Sequence, residues 1–232
     1  MASCDDDDDI NITPPPDTSG KISGRINLYD EGTTQLDGSG MVVTVMNTDP
    51  IISDTTDSQG HFALENVPLN THTLIYEKAN YGTFKKFNVD LNSGNTPLSF
   101  SQSESLGEKT TNSVNTLSAN VSSDSIIIHT DTPSGSLANS IYYRAIFSNT
   151  QGVSLNQLEG FSATFVSKNT TGNFKISKDE LEAFGFSSGQ TIYVKSVAES
   201  FFSNDYYDPD KAMHVFPNAN ETGSTELSFT MP

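Results

Sequence analysis

Tryptophan is absent from this 232-residue chain, and cysteine occurs once, as Cys4. A single thiol rules out an intrachain disulfide framework and cysteine-rich zinc sites. Basic residues are scarce. Twelve Lys and Arg stand against 29 Asp and Glu, for a net charge of −17. The acidic excess is spread along the chain: −5 in Asp5–Asp9, −6 over residues 17–104 and −6 over residues 105–232. No basic stripe exists, which argues against nucleic acid as a partner, since affinity there comes mainly from Lys and Arg on phosphates. No run approaches the roughly 18 apolar residues of a membrane span. The Gly-x-Ser-x-Gly elbow of serine hydrolases and the metalloprotease signature are also missing. His61, His72, His129 and His214 each fall in or beside an expected strand and share no motif, so they read as structural or surface histidines. No enzymatic activity is expected.

What the chain does have is short, alternating apolar segments separated by turn signals. Ile22, Gly24, Ile26 and Leu28 share one face of a first strand. Met41–Met46, Phe62–Leu64, Thr71–Lys78, Phe84–Leu91 and Leu98–Ser101 follow, punctuated by Asp37-Gly38, Asp57-Ser58-Gln59-Gly60 and Ser93-Gly94. Residues 103–112 are polar and aperiodic, as a linker would be. Strands resume at Val114–Val121, Ser125–Thr130, Ser140–Phe147, Phe161–Ser167 and Asn173–Ile176. Ser177-Lys178-Asp179-Glu180 is a capping box, predicting a short helix through Phe184 that Gly185 ends. Thr191–Ala198, Ala212–Phe216 and Glu226–Thr230 complete the pattern. The fold class is all-β: two β-sandwiches in tandem, residues 19–102 and 113–232, after a tether of residues 1–18. Pro14-Pro15-Pro16 makes that tether a semi-rigid spacer.

The most eventful loop is Phe201–Lys211. Four aromatics, Phe201, Phe202, Tyr206 and Tyr207, stand among the carboxylates Asp205, Asp208 and Asp210. Aromatic faces beside carboxylates suit a sugar, and three carboxylates can ligate Ca²⁺, although their spacing is not that of an EF-hand. The plainer alternative is a loop that caps the sandwich end with its aspartates in water. Tyr206 and Tyr207 are the better candidates for ligand contact, because Phe is more often buried. In an extended segment at most one of the two points inward.

At the N-terminus, Ala2-Ser3-Cys4 is followed by Asp5-Asp6-Asp7-Asp8-Asp9. A cytosolic protein with an acidic start is one reading of these residues. The stretch also resembles the end of a bacterial lipobox followed by the surface-export signal of Bacteroidetes lipoproteins. That resemblance implies lipidation at Cys4, export directed by Asp5–Asp9, and a chain held by its lipid at the outer membrane and exposed on the cell surface. The apolar part of the signal is then expected upstream of Met1. In the same lineage, Asp54-Thr55-Thr56 and Asp124-Ser125-Ile126 resemble O-glycosylation sequons, implying modification of Thr55 or Ser125.

Thr56-Asp57-Ser58-Gln59-Gly60-His61-Phe62-Ala63-Leu64 through Asn70 is similar to the carboxypeptidase regulatory-like domain, a transthyretin-like sandwich. Gly24-x-Ile26 and Gly40-x-Val42-x-Thr44 fit its opening strands. Asn70 and Asn80 stand where the family has glycine, so both are expected to keep a left-handed backbone. The resemblance implies an accessory module and no peptidase activity. The second half, with Ile192-x-Val194 after a short helix and Gly189, looks like the late part of a fibronectin III or immunoglobulin-like sandwich. Together these point to a binding or accessory component of a cell-surface complex for glycan or nutrient uptake, its partner a carbohydrate or another surface protein. The alternative is a structural, fimbrial or adhesin-like subunit, with Leu227–Met231 as a possible donor strand.

Overall fold

A computed structural model describes residues 18–133 and 140–232. Cys4 and Asp5–Asp9, the expected lipidation and export residues, lie outside the described residues. Among the described residues the regular structure is almost all β-strand, with one short helix.

The first half runs β1 (Ser19–Tyr29), β2 (Val42–Val45), β3 (Ser53–Thr55), β4 (His61–Pro68), β5 (Asn70–Glu77), β6 (Phe84–Leu91), β7 (Leu98–Ser99) and β8 (Glu104–Gly107). One sheet has the order β4-β1-β7, and β8 follows β7 along the same edge of β1, both parallel to it. The facing sheet is β3-β2-β5-β6. The alternation expected for β1 is realised: Ile22, Ile26 and Leu28 are fully buried. They meet Val43 and Val45 from β2, Leu64 from β4 and Leu74 and Tyr76 from β5 in one core.

The stretch expected to be a linker is not one. β8 occupies residues 104–107, and its Leu106 belongs to the first core. The polar composition of Ser103–Asn112 hid a strand with a single inward apolar residue, too short to show a period. Of the two asparagines expected to be left-handed, Asn80 is, with φ of 70°. Asn70 instead opens β5 in extended backbone. The left-handed turn lies four residues earlier, at Asn66, φ 57°. There β4 carries one extra residue against β1, between the pairs Gly20–Val67 and Ile22–Leu64.

The second half runs β9 (Asn115–Val121), β10 (Ser125–Asp131), β11 (Ile141–Ser148), β12 (Gly160–Phe161), β13 (Phe165–Ser167), β14 (Thr171–Ser177), α1 (Lys178–Ala183), β15 (Thr191–Glu199), β16 (Tyr206–Asp208), β17 (Met213–Val215) and β18 (Leu227–Thr230). Two sheets, β14-β10-β9 and β12-β11-β15-β18, enclose a second core around Ile128, Tyr143, Phe147 and Val194. The capping box forms as the sequence predicts. The Ser177 hydroxyl accepts from the Glu180 N–H, and the Glu180 carboxylate accepts from the Ser177 N–H at 2.8 Å. These bonds hold the Glu180 carboxyl below the usual carboxylate range. Gly185, at φ 96°, ends the helix. No helix of the described residues is long and apolar enough to cross a membrane.

The outer face of β11 and β15 is also covered. Ile146 and Val197 pack there with Val153 and Phe161 in a smaller cluster. The segment that follows β15 continues from this face to the first half of the chain.

Candidate functional site

The Phe201–Lys211 loop joins the two halves. Phe202 stacks on Tyr29 of β1, with ring centroids 4.1 Å apart. Tyr206 packs against Phe84 at 5.9 Å and Phe87 at 6.0 Å, both on β6. Phe201 donates its N–H to the Glu31 carbonyl and sets its ring edge against Tyr142. Each such aromatic pair is worth about 0.5–1.5 kcal/mol beyond its buried area.

Two asparagines complete the joint. Asn204 is left-handed, with φ of 54°, and 6% exposed. Its carboxamide makes a two-point pair with the Gly107 backbone, accepting from the N–H and donating to the carbonyl, both at 2.9 Å. The Asn218 side chain accepts from the Gly82 N–H and donates to the carbonyls of Gly107 and Phe202, each at 2.9 Å. Both glycines are needed for this approach. A Cβ on Gly107 would lie 2.6 Å from the Phe202 carbonyl oxygen, and one on Gly82 would lie 2.4 Å from that of Pro217. Glu31 closes the joint by accepting from the Thr110 and Thr111 hydroxyls and the Asn112 amide.

The predicted ligand residues therefore separate. Tyr206 points toward β6 and is half-buried, while Tyr207 is 51% exposed beside His214. The alternation expected of an extended pair holds. Asp208 is buried at 1% exposure, where its carboxylate lies 3.6 Å from the Lys85 ammonium and accepts from the Asp210 N–H. Asp210 is exposed. Among the described residues, no three His, Cys, Asp or Glu side chains are placed to hold one metal ion.

Asp205 belongs to a different setting. It lines a cleft of about 330 Å³ between the halves, with Phe84, Glu104, Phe201 and Phe202. Phe201 is 48% exposed there, contrary to the expectation that the phenylalanines would be the buried pair. Both carboxylates of the cleft have cations at hand. Glu104 is 2.6 Å from the Lys86 ammonium, and Asp205 is 3.9 Å from the Arg144 guanidinium.

Behind Asp205 lies a buried pair that sequence reasoning missed. Arg144 donates from Nε to Glu199 at 3.0 Å, and both are under 5% exposed. The guanidinium covers the Phe216 ring at 4.5 Å. Burial pushes the Glu199 carboxyl up to about 7, against the opposing pull of Arg144 and the Ser200 N–H. The signal was present: Arg144 interrupts the apolar run Ile141–Phe147, and a charge on a covered strand needs a partner.

The remaining sequence candidates are locally engaged or exposed. Thr55 is exposed on edge strand β3. Ser125 is 4% exposed and bonds to Asp124 and Ser122. His61 sits by Asp57, His72 by the Pro68 carbonyl, His129 between Asn120 and Asn173, and His214 against Phe161.

No family model and no curated protein matches the sequence. Among solved structures, a suggested carbohydrate binding protein from Bacteroides uniformis is 13% identical, covering 92% of this chain and 100% of its own, with a TM-score of 0.32. A DUF3823 family protein from Parabacteroides merdae is 10% identical, covering 78% of this chain and 90% of its own, with a TM-score of 0.29. A chain of a type II cohesin-X-dockerin complex from Acetivibrio cellulolyticus is 25% identical over 39% of this chain, with a TM-score of 0.32. This chain spans 58% of the length of that one. At these TM-scores the likenesses carry no inference about this chain.

Proposed function

We propose that this chain is a non-catalytic, lipid-anchored protein of the outer cell surface that binds carbohydrate for a nutrient-uptake system, through the cleft between its two cores. The observation that carries the reading is the lining of that cleft. The rings of Phe84, Phe201 and Phe202 stand beside the carboxylates of Glu104 and Asp205. A sugar offers an apolar C–H face and a rim of hydroxyls, and such a lining matches both. Glu104 and Asp205 each lie beside a cation, and their carboxylate oxygens can accept hydrogen bonds from sugar hydroxyls. Cys4 and Asp5–Asp9 supply the anchor and the export signal in this reading. The fimbrial or adhesin-like alternative is weaker, because Leu227–Thr230 pairs with β15 inside its own sheet.

The test is retention on an array of oligosaccharides. Phe201→Ala should weaken retention roughly tenfold, the equivalent of about 1.4 kcal/mol. Unchanged retention by Phe201→Ala would remove the cleft from the account.

A further inference from the structure

At the far end of the first sandwich lies a larger concavity that the cleft does not explain. Its volume is about 910 Å³, within the ordinary range for ligand sites. One wall is the turn of residues 46–52 between β2 and β3, and the other is formed by the ends of β4 and β5. The turn is braced from within: the Thr48 hydroxyl donates to the Val45 carbonyl and accepts from the Ile52 N–H. Around this frame stand Asn47, Asp49, Ser53, Asn66 and Thr73. Their side chains make no hydrogen bond to the other described residues. Ile51, on the rim, is 77% exposed, the most exposed large apolar side chain among the described residues.

We propose that this groove is a second binding site, for a neutral oligosaccharide. Three features select that chemistry. First, among the described residues no Lys or Arg lines the groove, and its two carboxylates are Asp49 and Glu65, the latter paired with Lys21 at 2.6 Å outside the lining, so no free cation faces a phosphate, sulfate or uronate group there. Second, the two strand edges at the groove, β3 and β4, are partly closed to an extended peptide, and on β3 the Thr55 N–H is taken by the Asp54 carboxylate at 2.8 Å. The Ala63 N–H of edge strand β4 is taken by the Asp54 carboxylate at 2.7 Å, and the bulge at Asn66 bends the edge away. Third, the unspent groups are carboxamides, hydroxyls and a carboxylate, which together donate to and accept from sugar hydroxyls, and Ile51 offers a face for sugar C–H groups.

This proposal rests on the reading of the chain as a glycan-binding protein, so the two must fail differently. The full chain is titrated by calorimetry with a panel of neutral hexose and pentose oligosaccharides, uronate-containing oligosaccharides and a strand-forming peptide. Ile51→Asp and Asn66→Gly are compared with Phe201→Ala. The expected result is a neutral oligosaccharide whose binding falls at least tenfold in Ile51→Asp and is unchanged in Phe201→Ala. Asn66→Gly keeps the left-handed backbone and removes only the carboxamide, so a loss there excludes misfolding as the cause. If every oligosaccharide that binds the wild type is lost with Phe201→Ala and none is weakened by Ile51→Asp or Asn66→Gly, the groove proposal is overturned and the glycan reading stands. If no oligosaccharide binds the wild type, both fall. Binding of the peptide or of uronates alone, abolished by Ile51→Asp, would overturn the assignment to neutral sugar.

Discussion

The carboxamide of Asn204 pairs with both backbone groups of Gly107, 97 residues earlier, as a further strand residue would. With Asn218 on Gly82 and Gly107, it fixes the second half of the chain to the last strand of the first. The segment richest in candidate binding residues is thus largely spent on the joint, and the cleft is what the joint leaves open.

Asn218→Ala should destabilise the protein by about 2–4 kcal/mol, because it strips the Gly82 N–H and the Phe202 carbonyl of their buried partner. Amide hydrogen exchange provides the local check. Gly82 and Gly107 should exchange slowly in the wild type, and Gly82 should accelerate in the variant. Fast exchange at both in the wild type would mean that the joint does not form in solution.

Cutting the chain in two should expose the role of β8. A fragment of residues 19–109 retains Leu106 beside Leu28 in the first core, whereas 19–102 loses it. Loss of a fully buried leucine costs about 2–5 kcal/mol. The longer fragment should therefore melt cooperatively at a clearly higher temperature than the shorter one. Equal melting temperatures would show that β8 contributes nothing to that core.

Glu199 sets a pH dependence of defined sign. Its folded-state carboxyl is raised from 4.5 to about 7, so the folded state binds the extra proton between those values. Stability from this group is fully present below about pH 4.5 and is lost as pH rises toward 7, with a slope of at most about 1.4 kcal/mol per pH unit. Denaturant unfolding from pH 5 to 8 should show that loss in the wild type and not in Glu199→Gln. Identical profiles would place the Glu199 carboxyl in the ordinary range.

If Cys4 carries the proposed lipid, Cys4→Ala should move the protein, produced in its own host, from the detergent phase to the aqueous phase. The fragment released by protease treatment of whole cells should disappear with it. A Cys4→Ala protein that stays with the detergent would contradict lipidation at this residue.

Much of the fold was legible because period-two alternation is a strong signal wherever a strand buries one face. Phe84–Leu91 has the limits the sequence predicts, and the Ser177–Glu180 capping box forms as read. The joint was not legible. Asn204 and Asn218 act through carboxamides on distant backbone, and nothing local separates such an asparagine from a surface one. Asn66, not Asn70, takes the left-handed turn because the extra residue of β4 falls there, and strand register is a property of two segments. Of the candidate site, the aromatic and acidic content of Phe201–Asp210 was plain in the sequence. Its partners Phe84 and Glu104 were not, because they come from the other core.

The central claim is binding without chemistry in the cleft between the cores, and incubation of the full chain with a retained oligosaccharide tests it most directly. Binding is followed by calorimetry and the sugar by mass spectrometry over a day. The account predicts saturable binding with the oligosaccharide recovered intact. Shortened products that form with the wild type and vanish with Glu104→Gln or Asp205→Asn would contradict it and make the cleft an active site.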